Sequence, residues 1–316
     1  MDVNVTCPSC AAPRSAIVRD GSYFRADDSK SIQRYQCKAC RKKFSAATFK
    51  PTYRQRKRRI NSTVRYGLAS NMCPRDIAEL VGVNVKTIAA RLIWQAKLSR
   101  EKNRLFLKAY IEEHGPIRVV QFDDLVTYEH TKCKPLSVPM VVIDGVRIPI
   151  GFRVGAIPAS GPLAAISRKK YGKRDDESRE KRRDLFEELT QILPPDVIFK
   201  TDGHEHYARL IKQYFPKAEH SVHISHRGSI VGQGELKKIG FDPLFSINHF
   251  LATARAKVNR LNRRTWCTTK NPERLADHLD IFIDVFCERL KQLSVPTSTL
   301  QRQVSKEWWS NLQAAA

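Results

Sequence analysis

Three features of the 316-residue sequence predict a multidomain α/β protein. Two Cys-x-x-Cys pairs stand near the N-terminus. A short helix–turn–helix pattern follows. The long remainder alternates β-branched runs with amphipathic segments, the signature of a mixed sheet covered by helices. These features divide the chain into residues 1–50, 51–114, 115–295 and a C-terminal tail helix over 296–316. Lys and Arg number 56 against 32 Asp and Glu, a net charge of +24. That excess repels basic partners and draws the chain toward a polyanion, with nucleic acid the leading candidate. No apolar run reaches transmembrane length and MDVNVTCPSC is no signal peptide, so a cytoplasmic location is expected. Eight cysteines in a reducing compartment point to metal or free thiols rather than disulfides.

Four of those cysteines are organised. Cys7 and Cys10 lie in CPSC, and Cys37 and Cys40 lie in CKAC. Two such knuckles supply four thiolates to one tetrahedral zinc ion, and YQCKACRKKFS suits a short hairpin around the second knuckle. The segment therefore predicts a zinc ribbon. So small a unit lacks a sufficient core, and zinc binding supplies its folding energy. With all four positions taken by protein, the zinc is structural. Cys73, Cys133, Cys267 and Cys287 are scattered and read as ordinary thiols.

The basic stretch KPTYRQRKRRINSTVRYG follows, and Arg56, Lys57, Arg58 and Arg59 are expected to contact phosphates. In NMCPRDIAELVGVNVKTIAARLIWQAK, Pro74 opens a helix running to about Leu80. Gly82 makes the turn, and Asn84 caps a second helix from Val85 to Lys97. Ile77, Leu80, Val83, Ile88 and Leu92 form the inward face. The pattern is that of a helix-turn-helix, whose second helix enters the major groove and presents Lys86, Thr87, Ala90 and Arg91. A charged helix continues from Ser99 to Gly115.

The third segment opens with IRVVQFDDL, a strand ending in two acids. LSVPMVVIDGVRIPIGFRVG holds two strands about an Asp-Gly turn. A charged run then leads into an amphipathic helix carrying Leu185, Phe186, Leu189 and Ile192. PPDVIFKTDG is a strand ending in an acid, HYARLIKQYF a helix and AEHSVHIS a short strand. Three antiparallel strands, a helix, a parallel strand and further helices match an RNase H-like sheet. In that sheet the first and fourth strands are central neighbours, so Asp123 and Asp202 meet at their ends. Two like charges there need cations between them. Divalent ions roughly 3.5–4 Å apart would clamp the attacking and leaving oxygens of a phosphodiester. Asp124 is the rival of Asp123, because successive strand residues face opposite ways and only one can look into the site.

The stretch FDPLFSINHFLATARAKVNRLNRRTW reads as a helix. Ile247, Phe250, Leu251, Ala254, Val258 and Leu261 recur at buried-face spacing. Asn248 and Arg255, nearly two turns apart, share the polar face, which points at the sheet edge where the acids lie. Asp242 before Pro243 reads as a helix cap. Glu235, in a glycine-punctuated loop, is a reserve ligand. His220, His223 and His226 read as polar surface or DNA contacts.

CPSC, YQCKACRKKFS, FDDLVTYEHTKCKPLS, FKTDG and INHFLATARAKVNRLNRRTW together resemble transposases of small bacterial insertion sequences of the InsA/InsB kind. In that family a zinc ribbon and helix-turn-helix precede a DDE domain. The resemblance spans residues 5–290. It implies cutting and joining of DNA at terminal inverted repeats, with Mg²⁺ or Mn²⁺ held at Asp123, Asp202 and Asn248, asparagine standing where an acid is usual. Arg255 stands at the spacing at which related families carry a basic residue. The resemblance also implies double-stranded DNA, both repeats and target, as the partner of a homo-oligomer. The alternative from another class is a catalytically inactive, domesticated DNA-binding repressor. A third is a structure-selective nuclease of the same fold. The pair Trp308 and Trp309 would dock the tail on the body or on a second subunit.

Overall fold

The computed structural model describes residues 5–224, 242–262 and 266–293. Glu235, His226 and the predicted tail helix over 296–316, with Trp308 and Trp309, lie outside the described residues. The chain divides into two compact units, 1–63 and 64–316. The sequence analysis expects boundaries at 50/51, 114/115 and 295/296.

The first unit is built on a three-stranded antiparallel sheet in the order β1-β2-β3, with β1 Ile17–Arg25, β2 Lys30–Cys37 and β3 Lys43–Ser45. Among the described residues, its core cluster holds Val5, Ile17, Tyr35, Phe44 and the two buried thiols Cys7 and Cys37. Tyr35 and Phe44 pack with ring centroids 5.6 Å apart. The basic segment is tied to the β1–β2 turn within this unit. Arg58 donates to Asp27 at 2.8 Å, and the backbone N–H of Arg58 reaches the same carboxylate at 3.1 Å. The helix α1 (Asn61–Leu68) spans the division between the units.

In the second unit, α2 (Pro74–Leu80) begins at the predicted proline, and the thiol of Cys73 caps it by accepting the Asp76 N–H. The turn residue Gly82 has φ +62°, left-handed backbone that suits a residue without a Cβ. Asn84 caps α3 by accepting the Lys86 N–H at 2.9 Å. Helix α3 is one unbroken element, Val85–His114, where the sequence suggested a short recognition helix and a charged continuation. Ile77, Ile88 and Leu92 are buried. Leu80 is not: it is 62% exposed. The buried face of α2 is centred on Ile77 and Ala78, and Leu80 lies about 200° around the helix from Ala78.

The helix-turn-helix is built into the second unit rather than standing apart. Helix α3 packs along α8 (Pro272–Leu293), whose buried acids are taken by arginines. Arg65 pairs with Asp284 at 2.7 Å and Arg100 with Asp280 at 2.6 Å. His278 sits fully buried against the Leu68 carbonyl at 2.7 Å, and burial holds its pKa down at about 4.

The central sheet comprises β4 Val119–Tyr128, β5 Pro135–Ile143, β6 Pro149–Phe152, β7 Gly155–Ala156, β8 Ile198–Thr201 and β9 Glu219–Val222. The main path runs β6-β5-β4-β8-β9, with β7 paired to β5. The first pairs are antiparallel, while β4–β8 and β8–β9 are parallel. These are the strand order and directions expected of an RNase H-like sheet. Strand β4 runs five residues past Asp123, because β5 continues to pair with it as far as Tyr128.

One face of β4 carries Phe122, packed against Phe186 of α5 (Ser178–Leu189) and Tyr207 of α6 (Glu205–Tyr214). The other face is covered by α7 (Phe245–Lys257). Ile192 falls beyond the end of α5. The charged run before α5 contains a helix the sequence did not suggest, α4 (Leu163–Tyr171), joined to the hairpin by the Ser167 hydroxyl donating to the Cys133 carbonyl at 2.6 Å. No described helix is long and apolar enough to cross a membrane.

Helix α5 approaches β6 closely because Gly151 has no side chain. A Cβ there would stand 2.8 Å from Cδ1 of the buried Leu185. Gly151→Ala is therefore expected to lower unfolding free energy by roughly 1–3 kcal/mol through overpacking, measurable by urea denaturation.

Candidate metal centres and nucleic-acid interface

The first centre lies in the ribbon unit. The Sγ atoms of Cys7, Cys10, Cys37 and Cys40 all lie within 4.8 Å of one another. Cys7 and Cys40 are 3.5 Å apart, and Cys10 and Cys37 are 3.7 Å apart. Zinc–sulfur bonds of about 2.3 Å in a tetrahedron require edges of about 3.8 Å. The separations are thus those of a zinc tetrahedron and far longer than a disulfide. Local backbone sets this geometry twice. The residues after the knuckles, Ala11 and Arg41, have φ +57° and +59°, which turns each loop back on its thiols. Cys7 N–H donates to the Ala12 carbonyl and Cys37 N–H to Lys42, each at 3.0 Å. Burial opposes ionisation of Cys7, but the N–H groups of Cys10 and Ser9 and the neighbouring thiols bring it down to about 6. Among the described residues, no other cluster of three or more His, Cys, Asp or Glu side chains has metal-binding spacing.

The second candidate centre is at the carboxyl end of β8. Parallel pairing of β4 and β8 ends at Phe122 opposite Thr201. The next residue in each case is an acid: Asp123 within β4, and Asp202 just past the end of β8. Asp123 and Asp124 face opposite ways. Asp124 is taken by Arg182 of α5, whose Nε donates at 2.9 Å, and by Ser137 at 3.1 Å. Both partners of this ion pair are 9% exposed. That pairing commits Asp124 to the α5 face and leaves Asp123 on the α7 face.

Burial pushes the Asp123 carboxyl up to about 6; the nearby charges of Asp202 and Asp124 add to this, while the Asp124 N–H and Arg255 oppose it. Asp202 and Arg255 are thus both within electrostatic reach of Asp123. The Asp202 carboxylate also accepts the His204 N–H at 3.1 Å.

Gln121, two residues before Asp123 and on the same face, fastens the start of α7. Its carbonyl accepts the Ile247 N–H at 2.8 Å, and its amide donates to the Pro243 carbonyl at 3.0 Å and to Asp144. Gln121 is 1% exposed. Nothing near it along the chain marks it as functional; a lone glutamine in an apolar strand was the available clue. Asn248 follows Ile247. Its amide nitrogen donates to Asp242 at 2.9 Å. Asp242 also accepts the Leu244 N–H at 2.9 Å, which closes the turn before α7; the helix N-cap is Leu244 rather than the expected Asp242. Arg255 is exposed two turns along the helix.

Two carboxylates, one raised by burial and by its neighbour, and an amide oxygen are hard donors suited to Mg²⁺ or Mn²⁺. A cation there would remove the like-charge cost. By donor chemistry the two acids suit such an ion.

The predicted DNA contacts separate into two groups. Lys86 is exposed at the start of α3 and Thr87 is half-buried beside it. Arg91 is half-buried, with its guanidinium 5.9 Å from the Trp94 ring centre, so it is held along the helix rather than projecting freely outward. Arg56 and Lys57 are exposed. Arg58 is taken up by Asp27, and Arg59 donates to the Asp27 carbonyl at 2.9 Å. These two arginines tie the basic segment to the β1–β2 turn. His220 is half-buried, with its ring nitrogen 2.8 Å from the Thr201 hydroxyl.

No protein-family model matches the sequence, and no curated protein matches it. Among solved structures, the chain is similar to the catalytic domain of Mos1 mariner transposase, with 15% identity over 59% of this chain and 94% of that chain and a TM-score of 0.21. It is also similar to the Mos1 strand transfer complex, with 13% identity, 75% and 79% coverage and a TM-score of 0.22. A pre-cleavage Mos1 transpososome gives 12% identity, 76% and 78% coverage and a TM-score of 0.19. The fold assignment rests on the strand order and directions.

Two outcomes are expected. Chelation should remove one zinc per chain and melt the ribbon, as should Cys37→Ser, read by metal analysis and near-ultraviolet circular dichroism. The second concerns pH. Asp123 holds its proton more tightly folded than unfolded, so its contribution to stability is present below pH 4 and lost as pH rises through about 6. Without divalent metal, Asp123→Asn should therefore gain roughly 2–3 kcal/mol over the parent chain between pH 4 and 7, measured by denaturant titration.

Proposed function

We propose that this chain is a DNA transposase of the InsA/InsB kind, which binds the terminal inverted repeats of an insertion sequence and catalyses metal-dependent cleavage and strand transfer. The observation that carries the reading is the meeting of Asp123 and Asp202 where β4–β8 pairing ends, with the polar face of α7 brought alongside by Gln121. The net charge of +24 and the helix-turn-helix pattern support DNA as the partner.

In this reading Asp123, Asp202 and the Asn248 carbonyl hold Mg²⁺ or Mn²⁺, which supplies a Lewis acid for phosphodiester hydrolysis and transesterification. Asp123 and Asp202 supply the negative charge, and Asn248 completes the oxygen set without adding to it. Arg255 binds a phosphate of the DNA entering between the acids and α7. Lys86, Thr87 and Arg91 read the repeat, and Arg56 and Lys57 hold the backbone. The zinc ribbon, bound through Cys7, Cys10, Cys37 and Cys40, orders the basic segment through the Asp27–Arg58 pair. No serine or tyrosine nucleophile is required. A homo-oligomer would bring the two element ends together.

The test is cleavage and strand transfer on DNA carrying the element ends, with Mg²⁺ or Mn²⁺. Asp123→Asn, Asp202→Asn and Asn248→Ala should each lose at least about a hundredfold in cleavage rate while end binding persists. A chain that binds the ends but never cleaves them would be the domesticated repressor instead. Cleavage of branched DNA without end preference would favour the structure-selective nuclease.

A further inference from the structure

Asparagine at position 248 leaves the candidate centre one acid short, yet a third carboxylate stands directly behind it. Asp242 accepts a hydrogen bond from the Asn248 amide nitrogen at 2.9 Å through one oxygen, and the Leu244 N–H at 2.9 Å through the other. The neighbouring Pro243 carbonyl is held on β4 by Gln121 at 3.0 Å, on the face that carries Asp123. Asp242 is thus a fixed, charged acceptor, not a loose loop acid.

We infer that Asp242 is the positioning residue of this centre, which holds the Asn248 amide with its nitrogen turned away and its carbonyl oxygen presented to a divalent cation. The inference rests on the reading of Asn248 as a ligand.

An amide has a donor end and an acceptor end, and only the acceptor end can bind a cation. A free asparagine exposes either end. An ionised carboxylate accepts but cannot donate, so it selects the nitrogen and leaves the oxygen for the metal. It also adds negative charge just behind the ligand, strengthening the carbonyl as a donor. The pair Asp242–Asn248 therefore does the work of a third acid, with its charge one hydrogen bond removed from the ion. This explains why an acid at 248 is not the better choice in this chain. Aspartate there would set one carboxylate against another across a 2.9 Å contact, where both cannot stay ionised and paired.

The arrangement makes a polarity-reversal test. In Asp242→Asn/Asn248→Asp, residue 242 still caps the turn through its carbonyl oxygen and donates its amide to the new carboxylate, which needs no orientation. Asp242→Ala and Asn248→Asp alone should each reduce cleavage by about tenfold or more, and the double variant should return to within a few-fold of the parent. A residue that only capped the turn would give an Asp242→Ala defect but no rescue of Asn248→Asp by Asp242→Asn.

Mn²⁺ binding to the zinc-loaded full chain, followed by electron paramagnetic resonance, gives a readout independent of cleavage. Asp242→Ala should weaken it by about tenfold and the double variant should restore it. Mn²⁺ affinity unchanged in Asp242→Ala, or a double variant no better than Asn248→Asp, overturns the inference. Loss of metal-dependent cleavage in Asp123→Asn, seen beside unchanged Asp242 variants, would leave the transposase reading standing and remove only the positioning role. A parent chain that binds no Mn²⁺ at all would remove both.

Discussion

The buried ion pair between Asp124 and Arg182 decides which way the central strand faces. Strand β4 presents two consecutive acids, and a slip of one residue would exchange them. Arg182 on α5 takes Asp124 with Ser137 as a second donor, beside a layer in which Phe122 packs on Phe186 and Tyr207. Removing one member of such a pair leaves a charge without its partner in a dry environment, which makes the wrong register costly. With Asp124 committed, Gln121 and Asp123 must face α7. Gln121 then fixes the start of that helix, so the position of Asn248 follows from the strand's alternation rather than from the helix itself.

Organisation at the front of the molecule follows a different logic. The ribbon has too few apolar residues to fold by burial, and its four thiols come together through backbone turns repeated at both knuckles. The basic segment is not merely a charged linker, because Arg58 and Arg59 return to the β1–β2 turn. Within the second unit, the helix-turn-helix is bound to the α/β body by α3 along α8 and by arginine pairs to Asp280 and Asp284. Helix α3 runs unbroken from the turn to His114, and Gly115, with φ +80°, ends it just before β4.

Much of this was legible because it is local. Knuckle spacing, Pro74 and Asn84 at helix starts, and the Asp-Gly hairpin are each written within a few residues. The strand pattern was enough to place Asp123 and Asp202 at neighbouring positions in a sheet. What the sequence hid depends on partners far away along the chain. Arg58 finds Asp27, Asp124 finds Arg182, and Gln121 finds Ile247, and no spacing rule reports such pairs. Helix α4 was masked by the charge of its last turn, Arg168 to Lys170. Asp242 was readable as a helix cap, but Leu244 is the N-cap of α7; Asp242 holds the turn before it, and its second oxygen bonds to Asn248, which only the folded chain brings within reach.

The central claim is that Asp123, Asp202 and Asn248 share a divalent cation. Crystals of the zinc-loaded protein soaked in Mn²⁺ and measured for anomalous scattering test it most directly. The account predicts a manganese peak between the two carboxylates, with the Asn248 carbonyl oxygen at about 2.1 Å and its nitrogen on Asp242. Manganese bound by the two acids with Asn248 pointing elsewhere, or no peak at Asp123 and Asp202, would contradict it.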